Sequence, residues 1–230
     1  MDRKKVEQFR LALFGRMVMG VSHEVDNYLS VILGFAELIQ IEGGARNKTL
    51  DGAGKILNAG EKINTIIRHF SHYVRPHAPL HEPFSPAEMV ADCLVFSKYD
   101  LGRHNVNLAP PESYPARLLT ADRRDLALAL LALLFNGAEA MASSGGTLRL
   151  DVSLTNSGWE FIVADEGPGI PPDIAPSIFE EGFTTKSGID HAGMGLPVAR
   201  YLVSEAGGVL AVETRLGGGC SATVRLPARQ

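Results

Sequence analysis

The 230-residue chain has little cysteine, no surplus of basic charge and no long apolar run, and each shortage narrows what it can be. Its two cysteines, Cys93 and Cys220, lie far apart and form no CxxC pair. A disulfide framework is therefore not expected, and a reducing cytoplasm is the expected setting. Net charge is −4 and the isoelectric point is near 6.0. That balance argues against nucleic acid as a partner, because such a ligand asks for a basic surface. No stretch reaches the apolar length of a membrane span. The opening "MDRKKVEQFR" carries charge with no apolar core behind it, so it reads as a helix start rather than a leader. What remains is ordinary globular material, with 45% hydrophobic and 21% charged residues, enough to build a core.

Residues 3 to about 42 lack proline and carry helical periodicity. At roughly 100° per residue, Val6, Leu13, Met17, Val21, Val25, Tyr28, Ile32, Ala36 and Ile39 share one broad apolar stripe, with Arg16, His23, Asn27, Ser30, Gly34 and Glu37 opposite. "EGGARNK" breaks the pattern with glycines. A second helix, about 48 to 74, turns Leu50, Ala53, Ile56, Leu57, Ile63, Ile66, Ile67 and Phe70 inward. The two make an antiparallel hairpin too apolar to cover itself, and pairing with a second copy would complete a four-helix bundle.

"RPHAPLHEPFSP" holds four prolines and no periodicity, which reads as a linker. Beyond it the spacing predicts a helix over 86–99, a strand near 105–108 and a strongly apolar helix over 122–142. Strands follow at "TLRLDVSLT" and "WEFIVAD", then a glycine-rich stretch, a helix over 194–206, and strands at "VLAVET" and "SATVRLP". The expected fold class is α+β: an N-terminal helical hairpin (1–75), a linker (76–85) and an α/β sandwich of one sheet and one helical layer (86–230).

Chemistry concentrates in the second half. Asp165 ends a strand and is followed by Gly167, Pro168 and Gly169. A carboxylate fixed there can accept from an exocyclic amine, and glycines let backbone approach a flat ring. Gly193 and Gly195 precede a helix whose free amides suit phosphate. A single glycine pair is usually only a turn.

In combination, "LLALLFNGAEAM", "DEGPGI", "IFEEGFTTK" and "GMGL", in that order and spacing, resemble the ATP-binding domain of sensor histidine kinases. The resemblance runs from about 86 to 227, and "GGGCSATVRLP" matches the family's last strand pair. It implies the α/β sandwich shared with type II topoisomerase and mismatch-repair ATPases. "SHEVDNYL" on the hairpin is similar to the family's dimerisation and phosphoacceptor domain. His23 lies on the polar face, and neutral imidazole is a competent nucleophile near neutral pH. Glu24 can accept the departing proton. Asn27 follows one turn later on the same face.

The resemblance implies that His23 receives the γ-phosphoryl group with Glu24 as base, and that Asn27 positions water when a partner is dephosphorylated. It assigns Asn136 to Mg2+, Asp165 to the adenine amine, and Gly167 and Gly169 to the adenine pocket. Phe183, Thr184, Thr185 and Lys186 fall in the lid, and Gly193, Gly195 and Leu196 in the phosphate-side turn. ATP and Mg2+ are the implied cofactors, with a response regulator receiver domain and a second copy of the chain as partners. Transfer of this kind is mainly positioning and charge stabilisation. The expected location is cytoplasmic, alone or as the soluble part of a larger or membrane-anchored sensor.

Several positions depart from the family pattern. Ala132 stands where an asparagine is usual one turn before Asn136, removing a polar contact near the metal. Tyr28 replaces a proline, His191 a glycine of the phosphate turn, and Cys220 a threonine that supports the adenine aspartate; the lid, 184–192, is short. Ala132 and His191 favour an alternative, a phosphotransfer protein with a degenerate ATP-binding domain that only relays phosphate. A topoisomerase-type or chaperone-type ATPase would need a glutamate base one turn before Asn136, where Ala132 cannot serve. His69, His72, His77 and His81 are expected to be solvated rather than metal ligands. Glu180 and Glu181 are read as solvated, and Trp159 as packed on a strand face.

Overall fold

The computed structural model describes residues 1–42, 46–186, 193–215 and 217–228. The chain divides into two compact units, Phe14–Arg75 and Met1–Leu13 together with Pro76–Gln230. The first helix, α1 (Arg3–Glu42), is continuous, so its first turns belong to one unit and the remainder to the other.

In the first unit α1 runs antiparallel to α2 (Arg46–Val74). Phe14 meets Phe70 edge-on at 5.6 Å and stacks on Tyr73 at 6.4 Å. Further along, the Lys62 ammonium lies over the Tyr28 ring and that of Lys55 over Phe35, at 5.4 and 4.6 Å. Gly52 lets the helices close, because a Cβ there would sit 3.1 Å from the Ile39 side chain. The α1 stripe points inward as expected: Met17 is buried, and Val21, Val25, Tyr28, Ile32, Ala36 and Ile39 are half-buried. Of the α2 residues expected to turn inward, Leu50, Leu57 and Ile67 are instead exposed, which follows from one hairpin having only one partner face to offer.

The second unit is a mixed five-stranded sheet covered by helices, the α+β sandwich expected. Its strands are β2 (Val106–Ala109), β4 (Gly146–Thr155), β5 (Gly158–Ala164), β6 (Val209–Thr214) and β7 (Cys220–Leu226), in the order β2-β4-β5-β7-β6. β2 pairs parallel with β4, and the other pairings are antiparallel. Alternation sets the buried face: Leu148, Leu150 and Val152 on β4, Trp159, Phe161 and Val163 on β5, Ala222, Val224 and Leu226 on β7. Trp159 stacks on Phe161 at 6.5 Å, on a strand face as expected.

Three helices contribute, α3 (Pro86–Arg103), α4 (Arg123–Ala140) and α5 (Gly195–Glu205). Residues Leu126–Phe135 of α4 are buried without interruption, so this helix is apolar all round because it is covered all round. Its N-cap, Asp122, accepts from the Arg124 and Asp125 amides, so the helix starts one residue later than the spacing predicted.

Two features were not expected. Glu82–Phe84, inside the stretch read as linker, form β1, which pairs antiparallel with β3 (Leu119–Ala121). The first turns of α1 pack with the sandwich unit: Val6 and Arg10 are fully buried there. One solvated assignment is overturned: the His77 ring is nine-tenths buried against Asp122. Glu181 is exposed as expected, with a 2.6 Å ion pair from Lys5.

Candidate active site

Asp165 follows β5 directly and is almost fully buried. Its Oδ1 accepts from the Gly167 amide at 2.9 Å and the Cys220 amide at 3.1 Å. Its own amide donates to the Cys220 carbonyl at 2.9 Å, and the Arg215 guanidinium donates to its carbonyl at 3.2 Å. Two backbone donors on one oxygen fix the carboxylate and leave Oδ2 to accept from a ligand. Gly167 must be small, since a Cβ would lie 2.9 Å from Oδ1. Gly169, at φ +81°, brings its backbone against Thr214, whose hydroxyl accepts from the Ile170 amide and donates to the Ile170 carbonyl. Burial, and after it the Asp165 charge, pushes the Cys220 thiol up from its ordinary value despite a hydrogen bond with Thr214.

Asn136 lies on α4 opposite the start of α5. A Cβ on Gly195 would stand 3.1 Å from Asn136 Nδ2 and 3.3 Å from Oδ1, so the amide abuts the first turn of α5. No side chain caps that turn, and its N-cap residue is Met194. Ala132 is buried in the apolar run and supplies no ligand. Asn136 thus offers a neutral amide oxygen beside that turn, a donor compatible with a hard cation that keeps most of its waters.

Between these lies the stretch expected as a lid. Gly182 donates to the Gly193 carbonyl at 3.1 Å, and Gly193, at φ +62°, has no room for a Cβ against the Gly182–Phe183 backbone. Thr184 and Thr185 are exposed, whereas Phe183, Lys186 and Leu196 are half-buried. Lys186 Nζ reaches Glu139 Oε2 at 2.5 Å, one turn beyond Asn136. The spacing gave no hint of Glu139, since a lid lysine and a helix glutamate 47 residues apart share no local pattern. His191 and the other residues of 187–192 lie outside the described residues.

The remaining candidates sit on the helical hairpin. His23 and Asn27 are exposed and Glu24 is half-buried. Asn27 Nδ2 stands 3.2 Å from His23 Nδ1. The structure therefore groups Asp165, Gly167 and Gly169 at one end of the sheet and Asn136 with Gly195 at the start of α5. His23, Glu24 and Asn27 form a group on α1.

Residues 121–230 match the family described as histidine kinase-, DNA gyrase B- and HSP90-like ATPase. The sensor histidine kinase ZraS of Salmonella typhimurium is 27% identical over 221 residues, 95% of this chain and 46% of that protein. Among solved structures, the mycobacterial sensor histidine kinase MprB superposes with a TM-score of 0.55 at 26% identity, covering 65% of this chain and 99% of that one. These matches support a histidine kinase catalytic core. Residues 121–230 of the sandwich unit are the part that matches the ATPase family. The fold extends over 97% of the chain and 64% of histidine kinase ThkA, solved in complex with the response regulator protein TrrA, at a TM-score of 0.57 and 22% identity. This chain spans between a quarter and about half of the length of the curated relatives it matches. No described helix is long and apolar enough to cross a membrane.

Proposed function

We propose that this histidine kinase core transfers the γ-phosphoryl group of ATP to His23, and that the phosphohistidine passes it to an aspartate of a response regulator receiver domain. The reading is supported by Asp165, whose Oδ1 is held by two backbone amides, so that Oδ2 is the oxygen left to accept from a ligand amine. Gly167 and Gly169 shape that adenine site. Phe183, Thr184, Thr185 and Lys186 border the phosphates, with the amides of Gly195 and Leu196 and the small residue Gly193 on the other side. Asn136 would hold Mg2+, which supplies charge neutralisation on the phosphates.

On the hairpin, Nδ1 pairs with Asn27, which makes Nε2 the ring nitrogen read as the nucleophile. The amide can present its oxygen to the ring equally well, and Nδ1–H then donates while Nε2 carries the lone pair. Nε2 bonds to the γ-phosphorus as the bond to the bridging oxygen breaks and ADP leaves. The ring is then cationic, and Glu24 is the base read to take its Nδ1 proton once that nitrogen leaves Asn27. Asn27 would orient water for the reverse task, hydrolysis of the phosphorylated regulator.

A homodimer belongs to the same reading: Leu33, Leu50, Leu57 and Ile41 are exposed on the hairpin, an apolar surface that a second copy would cover. Light scattering should find a dimer, and Leu57→Glu should shift it toward monomer. The kinase reading is tested with γ-labelled ATP and Mg2+. Acid-labile, base-stable label on wild type, lost in His23→Ala with nucleotide affinity retained, supports it. A nucleotide-binding protein that takes label only from a phosphorylated regulator would be the relay protein instead.

A further inference from the structure

The last turn of α4 carries a carboxylate that stability alone does not ask for. Glu139 follows Asn136 by three residues, which puts both on one face of the helix. The helix dipole opposes an acidic group at a C-terminus, and that turn holds no basic residue to offset it. The Glu139 side chain is nine-tenths buried even so. Its Oε2 accepts from Lys186 Nζ at 2.5 Å, and the lysine side chain is partly exposed. The chain reaches this point from beside α5. The Gly182 amide donates to the carbonyl of Gly193, two residues before that helix, and the Lys186 amide donates to Thr184 Oγ1. A carboxylate, an ammonium and the Asn136 amide thus lie beside the uncapped first turn of α5.

Mg2+ is commonly held by one or two carboxylates together with substrate phosphates. Asn136 is neutral, and Ala132, one turn earlier, is apolar. The carboxylate that α4 offers here is Glu139, one turn later.

We propose that Glu139 is the anionic partner of the Mg2+ that accompanies ATP, taking it up in exchange for Lys186. The inference rests on the ATP-binding reading above. An ammonium is a compact point charge on a flexible stem, so Lys186 can leave Glu139 for the phosphates while its backbone stays in place. With Mg2+ present, Glu139 exchanges one cation for the other and Lys186 turns to the phosphates, so each anion keeps a counter-charge. With bare nucleotide, Lys186 must serve the carboxylate and the phosphates at once. Two anions then face each other where burial weakens screening. Glu139 is therefore the residue that makes this site select Mg2+–ATP over metal-free ATP, a role the neutral Asn136 cannot fill.

The test is calorimetry of a non-hydrolysable ATP analogue binding to the full chain, in Mg2+ and in EDTA. The ratio of the two affinities is the readout, and melting temperature is the folding control. Wild type should bind more tightly in Mg2+. Glu139→Gln should cut the ratio about ten-fold, equivalent to ~1.4 kcal/mol, by weakening binding in Mg2+ while binding in EDTA holds or tightens. Lys186→Met should move the ratio the other way, because Glu139 is left to repel the bare phosphates. Opposite signs are the signature of the exchange, since loss of a merely structural ion pair would weaken both bindings alike. Should Glu139→Gln fail to fold, Lys186→Met, at the more exposed end of the pair, carries the test alone. A ratio unchanged in either folded variant, or shifted the same way in both, overturns the proposal. Equal binding by wild type in Mg2+ and EDTA overturns it too, and leaves the ATP reading standing. Wild type that binds no analogue in either condition takes down the ATP reading and the proposal together.

Discussion

Asn27 reaches back one turn along α1 to His23, with its side-chain nitrogen 3.2 Å from Nδ1. The contact joins the two side chains through Nδ1 of the ring. Asn27→Ala removes this contact and the group proposed to aim water. Phosphorylated regulator mixed with the variant and ADP should lose phosphate at least ten-fold more slowly than with wild type, about 1.4 kcal/mol in the barrier. Autophosphorylation should fall less, because the ring keeps its nucleophile. Equal decay rates would make Asn27 an orienting residue only.

Asp165→Asn keeps the shape of the adenine site but exchanges a charged acceptor for a neutral one. Retention of the two backbone bonds requires Oδ1 to stay toward Gly167 and Cys220, which turns the new NH2 group toward the ligand amine. Two donors then face each other. Calorimetry should show nucleotide affinity weakened by about 1–3 kcal/mol, the range for losing a hydrogen bond to a charged group, with little change in melting temperature. Unchanged affinity would remove Asp165 from the adenine site.

Cys220 touches the same carboxylate through its amide, and its thiol is pushed up by burial and by the Asp165 charge. The thiolate is the reactive form, so alkylation of Cys220 should lag behind a free thiol at neutral pH and rise only at higher pH. Asp165→Asn should move that profile back down, because it removes the second of the two causes. Mass spectrometry of iodoacetamide-treated protein across pH reads both effects. Burial remains in the variant, so the return should be partial.

How far these features were legible depends on whether their cause is local. The uninterrupted run Leu126–Phe135 reads as a covered helix, and the alternation Leu148, Leu150, Val152 as a half-covered strand, because each period is written in adjacent residues. Asp165 with its glycines was visible for the same reason. Its second donor, the Cys220 amide 55 residues on, was not, since a backbone group leaves no mark in composition. β1 and β3 escaped notice because three-residue strands carry too little alternation to stand above a proline-rich background. The burial of Arg10 left no local mark, because only Asp125, 115 positions away, makes it tolerable.

The last prediction follows from Asp122, which caps α4 and receives the linker. Burial raises its carboxyl, but the amides of Asp125 and Leu80 and the His77 ring outweigh that, and the net shift is downward. A carboxyl lowered in the folded state stabilises fully above its unfolded value, and that stability is lost as pH falls through the folded value. Unfolding followed by urea should therefore show a loss of stability on the acid side, below the ordinary carboxylate range. Asp122→Ala should remove part of this acid-side slope and cost about 0.5–2 kcal/mol at neutral pH from the cap alone. Asp122→Asn separates the two contributions. The amide can still cap α4, so most of the neutral-pH stability should remain, while the titrating group is gone and the acid slope should shrink. An acid limb as steep in Asp122→Asn as in wild type would place the titration elsewhere.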